Sequence, residues 1–169
     1  LTHKLRELIL LRHAKSDWKD EDHSDIERPI SSKGKKQASK VAKWLQDNAL
    51  TPDLILVSPA KRAQQTFRRI CKECPSEFQT LDELYLAELD TLKQVLANID
   101  NVHRVMIIGH NPGLEQLYRF LLHQDPNHDT QLFPTASIAH FILPGSWQNL
   151  ESGDGKLQQF IRPKDISQK

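Results

Sequence analysis

The sequence predicts an α/β fold: a three-layer sandwich with a mostly parallel central sheet flanked by helices. Two observations carry that expectation. Residues 8–11 (Leu-Ile-Leu-Leu), 54–57 (Leu-Ile-Leu-Val) and 105–108 (Val-Met-Ile-Ile) are short unbroken aliphatic runs, the pattern of strands covered on both faces. The stretches between them carry apolar residues at helical spacing, and strands alternating with helices imply a parallel sheet. A fourth run, residues 137–143, and a weaker fifth, residues 157–161, are separated by the turn signals Pro144-Gly145 and Gly153-Asp154-Gly155. These two are expected to form an antiparallel pair at the C-terminal end.

The helices are justified one by one. Ala38, Val41, Ala42 and Leu45 recur at i, i+3, i+4 and i+7, with lysines on the opposite face. Ala60, Ala63, Phe67, Ile70, Cys71 and Cys74 make a second stripe, and Leu89, Leu92, Leu96 and Ile99 a third. Leu114, Leu117 and Leu121 make a fourth, opened by Asn111-Pro112, a capping residue followed by proline. Cys71 and Cys74, on their stripe, are expected to pack in the core; a zinc site needs about four ligands and the chain has no second pair. With 169 residues the chain is expected to form a single domain over residues 1–169.

Composition excludes several functions. Lys plus Arg is 23 and Asp plus Glu 22, so the net charge is +1, which speaks against a general nucleic-acid binder or a polybasic membrane-surface protein. No apolar run approaches the roughly 18 residues of a spanning helix. Two cysteines make no disulfide framework, and the expected location is the cytoplasm. Eight histidines stand out, because imidazole titrates near neutrality.

Each of the first three strands runs into a polar motif. These are Arg12-His13-Ala14-Lys15-Ser16, then Ser58-Pro59-Ala60-Lys61-Arg62-Ala63-Gln64-Gln65-Thr66, then Gly109-His110-Asn111-Pro112-Gly113. Ligands of open α/β sheets bind beyond the carboxyl ends of the strands, so the three motifs should converge on one crevice. They bring two arginines and two histidines. Arginine offers a planar fork of donors matched to phosphate oxygens. A neutral histidine can attack phosphorus through a ring nitrogen, and at a pKa of about 6.5 roughly three quarters of such groups are neutral at pH 7. Neighbouring Arg12 and Arg62 would raise that fraction.

These motifs resemble those of the histidine phosphatase superfamily, and within it the small SixA-like phosphohistidine phosphatases. Further matching stretches are Glu27-Arg28-Pro29-Ile30-Ser31 with Lys33-Gly34, Glu83-Leu84-Tyr85, and Phe133-Pro134-Thr135-Ala136, all in the family's order. The resemblance implies a phosphoglycerate-mutase-like fold and a phosphatase that works through a covalent phosphohistidine, with neither metal nor organic cofactor. It implies His13 as nucleophile, Arg12 and Arg62 as phosphate clamp and His110 as the fourth pocket residue. Glu83 is the family-like general acid, with Asp17 the nearby alternative. Ser16, Asp17 and Arg28 are candidate substrate contacts, although Arg28 could equally pair with Asp25 or Glu27. Larger relatives carry an insertion that roofs the site. The stretch 74–89 is too short for such a cap, so an open site for a phosphorylated protein is expected, ahead of a small phosphorylated substrate. A mutase and a non-catalytic phosphate-binding module are the rivals.

The remaining polar residues read as structure. The acidic run over residues 17–27, with Asp17, Asp20, Glu21, Asp22, Asp25 and His23, lacks the spacing of a calcium loop and reads as solvated. His3, His103, His123, His128 and His140 are expected in structural or surface roles. Trp18 and Trp44 read as packing residues, with Trp18 the better exception because it follows the nucleophile loop.

Overall fold

The computed structural model describes residues 5–18, 24–126 and 133–166. Of the expectations above, those for His3, Asp20, Glu21, Asp22, His23 and His128 lie outside these residues. The elements in chain order are β1 (Arg6–Arg12), α1 (Ser32–Asp47), β2 (Leu54–Val57), α2 (Lys61–Ile70), β3 (Glu77–Thr80), α3 (Leu89–Ala97), β4 (Arg104–Gly109), α4 (Gly113–Leu121), β5 (Ile138–Leu143) and β6 (Lys156–Ile161). They build one six-stranded sheet in the order β3-β2-β4-β1-β5-β6. The first four strands of that order are parallel, while β5 runs antiparallel to β1 and β6 antiparallel to β5.

Strand alternation sorts the aliphatic runs onto two faces. Leu8, Leu10, Leu54, Leu56, Val105 and Ile107 pack under α3 and α4. Ile9, Leu11, Ile55, Val57, Met106 and Ile108 pack under α1 and α2. Both sets are almost completely buried, which explains why the runs are continuous rather than alternating. This is the α/β sandwich expected from the sequence, including its antiparallel C-terminal pair. No helix among the described residues is long and apolar enough to cross a membrane.

Two features differ from expectation. β3 has no aliphatic run: all four residues are exposed at the sheet edge, and β2 supplies their pairing. The second helix stops at Ile70, so Cys71 and Cys74 do not continue its stripe. They lie just beyond it, half-buried against the core, and are joined to each other by a disulfide. Pro75 follows at once, and a residue before proline disfavours helical backbone. With its ends three positions apart in the sequence, the bond clips one turn rather than bracing the fold. No metal-binding group of three or more His, Cys, Asp or Glu occurs among the described residues.

Two glycines mark close approaches. At Gly34 in α1 a side chain would run into the Lys15 carbonyl oxygen, and at Gly113 opening α4 it would run into that of Ala87. The first presses α1 against the loop after β1; the second presses α4 against the segment before α3.

Candidate active site

The parallel strands deliver their motifs to one end of the sheet, as the sequence predicts. Arg12 is the last residue of β1 and pairs in register with Gly109, the last of β4. The His13 amide donates to the Gly109 carbonyl (3.1 Å), which fixes the loop after β1 to the neighbouring strand β4. After β2, the buried Ser58 hydroxyl accepts from the Ala60 amide (3.2 Å) and shapes the turn into α2. Arg62 follows in the first turn of that helix. Arg12, His13, Arg62 and His110 all line one pocket of about 540 Å³.

Several residues of the second motif fasten the loop rather than face the pocket. Thr66 Oγ1 accepts from the Ala14 amide (2.9 Å) and donates to the Arg62 carbonyl (2.7 Å). Gln65 Oε1 accepts from the Ile30 amide (2.8 Å), and Gln37 Oε1 from the Lys15 amide (2.9 Å). Ser31 caps α1 by accepting from the Gly34 amide (3.0 Å), while its hydroxyl donates to the Lys15 carbonyl (3.1 Å). The segment at Phe133 closes the far side: its carbonyl accepts from Arg12 Nη1 (3.0 Å) and Asn111 Nδ2 (2.9 Å). The sequence marked these stretches but not their purpose.

The two histidines are held in defined tautomers. His13 Nδ1 lies 2.8 Å from the Ala14 carbonyl oxygen, which only accepts, so Nδ1 carries the proton and Nε2 keeps a free lone pair. His110 Nε2 meets Ser58 Oγ at 2.7 Å, and its Nδ1 lies 3.4 Å from Arg62 Nη2, a pure donor. That neighbour puts the His110 proton on Nε2. Burial holds His13 down to about 3, with further opposition from the charges of His110, Arg62 and Arg12. Burial, ahead of the Arg62 charge, holds His110 down to about 4.

These two depressed values bear on stability. Unfolded histidine titrates near pH 6.5, so below that the unfolded chain binds more protons than the native one. Stability therefore falls as pH drops through the window from about 6.5 towards the folded values. Melting temperature is expected to decline steadily between about pH 7 and pH 4, with a shallower slope in His13→Ala. Equal slopes in the two proteins would remove His13 from the explanation.

Arg28 is both paired and at the pocket. It lines the pocket, its Nη2 pairs with Asp25 Oδ1 (2.9 Å), and its guanidinium stacks 3.4 Å from the Trp18 ring centroid. Trp18 does not pack in the core as expected: it is 71% exposed, at the pocket rim. Ser16 also lines the pocket, buried, in an isolated bridge with Ile30. Asp17 is half-buried, its amide bonded to the Pro29 carbonyl (2.8 Å), and does not line the pocket. Glu83 is exposed on the turn Asp82–Leu84 and is likewise outside the lining; Leu86, three residues on, reaches it instead.

The residue that sequence reasoning missed is Asp25. The acidic run was expected to be solvated, yet Asp25 accepts from Arg62 through both its carbonyl (2.6 Å, Nη1) and its carboxylate (3.1 Å, Nη2). Tyr85 adds its hydroxyl to the same carboxylate and sets its ring edge-on to His110, centroids 5.6 Å apart. The only available signal was Asp25's place three residues before Arg28, which suggested an ion pair but not one reaching Arg62.

Fold and site define an α/β protein with a strand-end pocket in which two arginines and two neutral imidazoles converge. The chain belongs to the histidine phosphatase superfamily (branch 1), whose sequence pattern matches residues 8–93. It is 28% identical over 166 residues to the phosphohistidine phosphatase SixA of Escherichia coli K12, covering 95% of this chain and 96% of that protein. The crystal structure of the SixA protein from Agrobacterium tumefaciens superposes with a TM-score of 0.80 at 28% identity, covering 94% and 98% of the two chains. A structure of the protein histidine phosphatase SixA complexed with tungstate superposes at 0.77 with 26% identity, over 94% and 98%.

Proposed function

We propose that the protein is a phosphohistidine phosphatase that works through a covalent phosphohistidine at His13. The observation that carries this reading is the His13 tautomer: Nδ1–H tied to the Ala14 carbonyl, Nε2 bare, in a pocket with Arg12, Arg62 and His110. His13 Nε2 attacks phosphorus while Arg12 and Arg62 hold the non-bridging oxygens. Both guanidinium groups line the pocket, where their planar forks of donors suit a phosphoryl oxyanion. An incoming phosphoryl dianion raises the proton affinity of His110 Nδ1, which takes up a proton from solvent as the substrate binds and then donates to a non-bridging oxygen as charge develops. Water then attacks from the side the leaving group has vacated.

Tungstate is a phosphate-like oxyanion, and its presence in a SixA structure supports phosphate as the ligand class. The names of the SixA relatives support phosphohistidine as the substrate. A rim carrying Trp18 and Leu86, 71% and 49% exposed, suits a protein surface better than an enclosed metabolite. Glu83 takes no part, because a phosphorylated imidazole leaves without a strong acid. The test is rapid quench with labelled phosphohistidine protein. The expected result is an acid-labile, base-stable phosphoenzyme that forms and decays within turnover. Steady phosphate release with no such species would overturn the covalent route.

A further inference from the structure

Asp25 is the one carboxylate among the described residues lining the pocket, and clamping a phosphate does not call for it. Its depth is informative. His13, Arg62 and His110 form the floor, 6%, 2% and 4% exposed, whereas the Asp25 side chain is 46% exposed at the mouth beside Arg28 and Trp18. An in-line displacement puts the leaving group opposite His13, therefore at the mouth. Asp25 stands where the leaving group departs. It is anchored there by Arg28, Arg62 and the Tyr85 hydroxyl.

Its ionisation decides what it can do. Burial opposes the charged form, but the hydrogen bonds from Tyr85 and Arg62 and the charges of Arg62 and Arg28 outweigh it and hold the carboxyl below its ordinary range. An ionised carboxylate has no proton to give to an alkoxide. It does accept a hydrogen bond from a leaving group that carries an N–H. A phosphorylated imidazole protonated on its second ring nitrogen is such a group.

We propose that Asp25 selects phosphohistidine over phosphate esters by accepting a hydrogen bond from the N–H of the substrate ring's unphosphorylated nitrogen. The inference rests on His13 being the nucleophile. As the His13 Nε2–P bond forms, the substrate N–P bond breaks and its electron pair returns to the substrate ring. That ring leaves neutral, keeping its remaining N–H on Asp25, and no proton changes hands. His13 repeats the device in the second step: its Nδ1–H rests on the Ala14 carbonyl, so water displaces it as a neutral imidazole and dihydrogen phosphate is released.

The experiment compares kcat/KM for a phosphohistidine peptide with that for para-nitrophenyl phosphate, in wild type, Asp25→Asn, Asp25→Ser and Asp25→Glu. In Asp25→Asn and Asp25→Ser the ratio of the two is expected to fall at least about tenfold, a loss of one charge-assisted hydrogen bond. Asp25→Glu, which keeps the charge, is expected to recover part of it. The serine variant and melting curves guard against misfolding of either protein. A ratio unchanged within twofold in the folded variants overturns the inference. Wild type that forms no phosphoenzyme overturns instead the function on which it rests, so the two failures are distinguishable.

Discussion

Replacing His13 with alanine is expected to lower kcat by at least about 10⁴-fold and to abolish the trappable phosphoenzyme. No other described pocket side chain offers an uncommitted ring nitrogen, since His110 Nε2 is bonded to Ser58 and its Nδ1 faces Arg62. The variant leaves the Ala14 carbonyl without its side-chain donor, at a cost of about 1–3 kcal/mol in stability. It should therefore fold, with a lowered melting temperature. Phosphate or tungstate should still bind, because Arg12 and Arg62 remain. Rapid quench and oxyanion binding on the same preparation separate lost chemistry from lost structure. Turnover near the wild-type rate would exclude His13 as the nucleophile.

Arg62→Ala is expected to lower kcat/KM by about 10²–10³-fold, the scale of losing one preorganised donor to a developing oxyanion, about 3–4 kcal/mol. Arg62 is 2% exposed and touches three partners at once: the Asp25 carbonyl, the Asp25 carboxylate and His110. Its removal takes away a phosphate donor and also releases the carboxylate that it holds at the mouth. Arg62→Lys keeps the charge but not the planar fork, so it should recover only a minor part. Steady-state kinetics on an aryl phosphate measure both variants. A loss below tenfold in Arg62→Ala would remove Arg62 from the transition state.

Much of this was legible because burial on both faces of a parallel sheet leaves an unmistakable trace. Residues 8–11, 54–57 and 105–108 have no other economical explanation, and the polar motifs after them must then share one sheet end. Arg12, His13, Arg62 and His110 follow from that geometry. β3 left no such trace, because its exposed residues owe their strand conformation to pairing with β2 rather than to apolar burial. The end of α2 was misplaced because Cys71 and Cys74 are apolar enough to extend a stripe that Pro75 terminates. Asp25 was hidden for a different reason. A carboxylate in an acidic run reads as solvated, and only the three-dimensional return of residues 24–28 to the strand ends brings it onto Arg62. Glu83 shows the converse: position in a motif suggested a role, and the local turn points the residue to solvent.

The contact at Gly113 has a consequence for substrate choice. Helix α4 starts directly after the His110 motif, and its first residue abuts the Ala87 carbonyl so closely that a methyl group would not fit. Ala87 adjoins Leu86 and lies two residues from Tyr85, which form part of the pocket's mouth and of its Asp25 anchor. The mouth cannot narrow or widen by sliding that segment without prising it from the helix that follows the floor histidine. That side of the mouth is thus braced. On the proposed reading, a phosphorylated side chain has to reach past this braced segment to meet His13, so discrimination would fall to what projects from the partner's surface.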